Sequence, residues 1–75
     1  MRPLGQTEAL RAVEAEAYRQ IMSGMAPVRL AEFAAQLQDW LRDAHPGAPP
    51  LARAAIENQI SQTWHRRHEL IRGGD

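Results

Sequence analysis

Seventy-five residues are enough for one domain, and nine basic against nine acidic side chains leave no net charge. The hydrophobic class is 44% of the chain, but thirteen of those residues are alanine, so twenty larger apolar side chains must build the core. With no cysteine, no disulfide or thiolate chemistry is available, and the balanced charge argues against a protein that coats nucleic acid electrostatically. No apolar run approaches a membrane span, and the N-terminal stretch lacks the apolar segment of a secretory signal, which together imply a cytoplasmic protein.

The spacing of apolar residues predicts an all-α, small three-helix bundle-like domain over 1–75, with helices over 8–22, 28–44 and 51–71 and frayed tails at 1–6 and 73–75. In the first helix Leu10, Val13, Ala17 and Ile21 form one stripe, which Tyr18 and Met22 are expected to widen. Thr7 is the expected N-cap. Glu16 and Arg19 are expected to pair on the outer face, and Gly24 with Pro27 stops the helix. Alanines at 9, 12, 15 and 17 would permit close helix approach, so homodimerisation through this helix is expected.

The second helix carries the clearest stripe, Leu30, Phe33, Leu37, Trp40, Leu41 and Ala44, with Asp39 and Arg42 spaced for an outer pair. His45-Pro46-Gly47 ends it. Three prolines between His45 and Pro50 make the next connection a stiff corner. The third and expectedly longest helix has Ala52, Ile56, Ile60, Trp64 and Ile71 on its apolar line, with Arg53 and Glu57 at i, i+4.

All nine basic residues are arginine. A GC-rich bacterial or phage coding sequence suffices to explain that bias, and arginine also suits interfaces through its planar, weakly hydrated fork. Summed by thirds, charge runs 0, −1 and +1, so the neutral total conceals a basic end on the third helix. Trp64, His65, Arg66, Arg67, His68 and Arg72 are the expected partner-binding residues, with Trp64 as anchor and the arginines projecting into solvent.

His65 and His68 at i, i+3 with Glu69 nearby fall short of a complete zinc set, so no metal or other cofactor is expected. Ser23 and Ser61 lack spaced histidine and carboxylate partners, and Glu14 and Glu16 point in different directions, so no catalytic site is expected. The reading that follows is a helical interaction module, a regulator, adaptor or inhibitor that docks on a larger protein. The alternative is a DNA-binding transcriptional regulator using the third helix as its recognition helix. The proline-rich corner is longer than a helix-turn-helix turn, and counts against that alternative.

Overall fold

A computed structural model describes residues 5–67 and 69. Three helices, α1 (Gln6–Met22), α2 (Leu30–Ala44) and α3 (Arg53–His65), all pack against one another. The all-α three-helix bundle is therefore as the apolar spacing predicts.

Helix α1 begins two residues before its predicted start. The cap is Gly5 rather than Thr7, because Glu8 reaches back and its Oε1 accepts the Gly5 N–H at 3.2 Å. Its buried line is Ala9, Val13, Glu16, Ala17 and Ile21. Tyr18 and Met22 do not widen this stripe. They fall on the far side of the helix from Val13 and are exposed. Glu16, expected outside, is buried in line with Val13. It stays charged there because Arg19 donates through Nε at 2.8 Å and through Nη2, while Gln20 Nε2 donates at 2.9 Å.

The end of α1 is a Schellman turn. Met25 N–H donates to Gln20 O at 2.8 Å and Gly24 N–H to Ile21 O at 3.1 Å. Gly24 sits at φ 78°, in the left-handed region that suits glycine.

Helix α2 starts at Leu30, two residues later than expected. Arg29 is extended at φ −106° and ψ 135°, and Val28 is exposed, so no packing draws either residue into the helix. Phe33, Ala34, Leu37 and Leu41 are its buried face, with Leu30 and Trp40 half-buried beside them. Ala44, assigned to the stripe, is exposed. The Asp39–Arg42 pair forms at 2.8 Å.

At the corner, Leu51 is buried ahead of the helix, and Gln38 Nε2 donates to its carbonyl at 2.7 Å. Extended Ala52 is the N-cap and is exposed, not on the apolar line. Leu51 and Ile56 thus occupy the two positions of a hydrophobic staple, and α3 begins at Arg53 instead of residue 51. Arg53 and Glu57 are not ion-paired with each other; the ion pairs among the described residues are Glu16–Arg19, Asp39–Arg42 and Arg66–Glu69.

The unbroken run of α3 covers 13 residues, and positions 68, 70 and 71 of the expected longest helix, 51–71, lie outside the described residues. Its regular run closes at His65, with a turn at Arg66 and helical conformation again at Arg67 and Glu69. At this end Arg67 Nη1 donates to Trp64 O at 2.8 Å. Of the expected tails, 1–4 and 73–75 lie outside the described residues, as does Ile71, whereas Gln6, placed in the 1–6 tail, is already helical.

The core is one cluster. Val13, Ile21, Phe33, Leu37, Ile56 and Ile60 are its largest fully buried side chains, and Trp40 and Trp64 pack on its edge.

Candidate functional site

Helices α1 and α3 run parallel side by side. Gln59 Nε2 donates to the Glu14 carboxylate, and one turn further on Tyr18 and Thr63 line the same hollow. Each pairing is offset by 45 residues, so the last turns of α1 lie beside the last turn of α3. Tyr18, Gln62, Thr63 and Arg66 line one hollow there, which joins the two helices at a single end of the bundle.

The expected binding residues meet at this end, but not as a projecting helix. Trp64 is half-buried against the core. The Arg67 guanidinium lies 3.6 Å from the centroid of its ring, and His65 meets that ring edge-on at 5.3 Å. Arg67 is therefore half-buried and bound within the chain, where the sequence suggests a free cation. Arg66 and His65 are exposed, and Arg66 Nε donates to Glu69 Oε2 at 3.2 Å. The Trp64 indole N–H is buried without a hydrogen-bond partner among the described residues. His68 and Arg72 lie outside the described residues.

Sequence reasoning missed the apolar half of this surface. The exposed large hydrophobic side chains among the described residues are Tyr18 (47%), Met22 (47%), Met25 (65%) and Val28 (83%). They fall within one stretch of eleven residues that leaves α1 and enters α2. The signal was present, since taking Leu10, Val13, Ala17 and Ile21 as the inner line places Met22 far outside it.

Elsewhere the polar groups are already engaged. A hollow of about 300 Å³ lies under the proline corner, lined among others by Gln38, Arg42, His45 and Leu51. Its amide is committed to Leu51, its guanidinium to Asp39, and His45 stacks edge-on with Trp40 at 5.6 Å. Among the described residues, no three histidine, aspartate or glutamate side chains gather as a metal site. None of the described helices is long and apolar enough to cross a membrane.

In electrostatic terms, Glu16 is a displaced carboxylate among the described residues. The Arg19 hydrogen bond is the largest influence and holds it below the ordinary glutamate value, against the opposing effect of burial. Glu16 sits on the inner line of α1, so its charge serves the fold rather than the exposed surface. No protein family, curated protein or solved structure matches this chain.

Proposed function

We propose that this protein is a small helical interaction module that docks on a larger protein through the end of the bundle where α1 and α3 finish. It would act as a regulator, adaptor or inhibitor, by occupancy and without catalysis. The observation that carries this reading is that, among the described residues, the exposed large hydrophobics all fall within residues 18–28, where Tyr18 lines one hollow with Arg66. Met22, Met25 and Val28 supply flexible apolar contact, and methionine in particular adapts to irregular partner surfaces. Arg66 and Arg29 stand at the rim, where charge steers encounter and sets partner choice more than it adds affinity. The Arg67–Trp64 stack adds a partly desolvated plate near the end of α3, the composition of a hot spot.

The alternative, a DNA-binding regulator reading bases with α3, has less support. Arg67 is folded onto Trp64, so it is not poised toward a phosphate or a base edge. The turn before α3 also spans eight residues, 45–52, longer than a helix-turn-helix motif uses.

Affinity capture from the source cell with wild-type and Met22→Asp protein, read by mass spectrometry, tests the reading. A partner retained by wild type, lost with Met22→Asp and weakened with Arg66→Glu supports docking at this end. A partner held equally by all three contradicts it. Retention of random duplex DNA at low salt, released by modest salt and weakened by Arg66→Glu, would favour the alternative.

A further inference from the structure

We propose that Met22 and Met25 form a methionine oxidation site, at which a hydroperoxide turns the exposed apolar face polar and closes it to its partner while the bundle stays folded. The consequence for docking rests on the reading above; the oxidation chemistry and the intact fold do not.

The chain has three methionines and no cysteine, so thioether sulfur is all the sulfur it carries. Met1 lies outside the described residues. The other two stand three residues apart at one turn. Met22 closes α1, and Met25 follows Gly24. The 2.8 Å bond from Met25 N–H to Gln20 O ties Met25 back against the last turn of the helix. In a Schellman turn the residue after the glycine often packs on the one whose carbonyl it takes. Here that residue is Gln20, whose amide nitrogen is given to Glu16, and Met25 is left 65% exposed. Its backbone serves the turn while its side chain stands in solvent.

The core is sulfur-free. It is built from alanine, valine, isoleucine, leucine and phenylalanine, with the two tryptophans at its edge and no methionine among the described residues. That separation distinguishes a switch from damage. A sulfoxide formed inside a core is a buried polar group without a partner and unfolds the domain. At Met22 and Met25 the same oxygen is hydrated and costs the fold little. The docking face responds differently. These two side chains are half of the four exposed large hydrophobics among the described residues, with Tyr18 before them and Val28 after them in the chain. A partner that covers the oxidised pair must strip water from two sulfoxide oxygens. Leucine would supply similar apolar contact; methionine adds the response to an oxidant.

The step balances with hydrogen peroxide alone. A sulfur lone pair attacks one peroxide oxygen, the S–O bond forms and the O–O bond breaks. The hydroxide that leaves takes the proton of the transferred hydroxyl and departs as water. Sulfur gives up two electrons and the peroxide takes them. A dithiol reverses the step: the oxygen leaves as water with the two thiol hydrogens, and the thiols join as a disulfide.

Hydrogen peroxide on the purified full chain, removed before any further measurement, tests the site. Peptide mass mapping should find one oxygen gained at Met22 and one at Met25 in the folded protein. Melting temperature and circular dichroism should stay as they were. Retention on a phenyl column should fall, and should return after treatment with methionine sulfoxide reductases and dithiothreitol. The double variant Met22→Leu, Met25→Leu keeps Met1, and its retention should not respond to peroxide. For a partner captured by the untreated chain, oxidation should weaken binding at least about tenfold. The double variant, whatever its own affinity, should bind equally before and after peroxide. Sulfoxides that form only once the bundle is unfolded in urea, a melting temperature that falls on oxidation, or unchanged phenyl retention would overturn the proposal. So would a partner held equally by the oxidised chain. If the untreated chain captures nothing, the docking reading fails by itself, and the mapping, melting and column results still decide the oxidation site.

Discussion

Leu37 carries much of the fold for a single side chain. It is fully buried on the face α2 turns to both neighbours, so Leu37→Ala leaves a cavity the helices cannot close without moving. The expected cost is about 2–5 kcal/mol, most of the stability of a domain this small. Urea unfolding checks it, and an unchanged midpoint would mean the face is misplaced. Glu16 behaves differently because its contribution depends on charge. Its native pKa is lowered, so its stabilisation is present above the ordinary glutamate value and fades as pH falls through the folded-state value. Glu16→Gln should therefore melt below wild type at neutral pH, and the gap should close in acid. Melting curves across that range decide this, since a gap independent of pH would remove the charge from the explanation. The inward position of Glu16 was legible from its spacing to Ala9 and Val13. A rule that places carboxylates outside overrode it, because three donors from Arg19 and Gln20 are invisible until the helix is built.

At the scale of elements, helix existence and order were legible, because stripes such as Phe33, Leu37 and Leu41 need only periodicity. The ends were less so, because each is set by a contact outside the repeat. Glu8 reaching back to Gly5 starts α1, and buried Leu51 holds the chain before α3. The stop after α1 was legible, since Gly24 supplies the positive φ that the Schellman turn requires. An added Cβ at Gly24 would meet no atom within 4 Å, so the penalty of replacing it is conformational rather than steric. Gly24→Ala should cost about 1 kcal/mol and Gly24→Asn less, as asparagine tolerates this region. Thermal melts of the two variants would show that order, and equal melts would exclude backbone conformation as the cause.

Across the whole molecule, interior and functional surface divide along α1. Ala9, Val13, Ala17 and Ile21 hold the bundle together, while Tyr18 and Met22 on the other side contribute nothing to its core. The expected site was half legible. Trp64 and Arg66 stand where sequence placed them, at the end of α3. Tyr18 and Met22 were assigned to the inner stripe because apolar residues near such a stripe are counted with it. Met22 and Met25 lie outside the core of the described residues, and their exposure is the strongest sign of a partner. The most direct test is Met22→Asp, with thermal unfolding and partner binding measured on the same preparation. The account predicts a melting temperature equal to wild type and binding reduced at least tenfold. A lowered melting temperature, or wild-type binding, would contradict the assignment of this face to a partner.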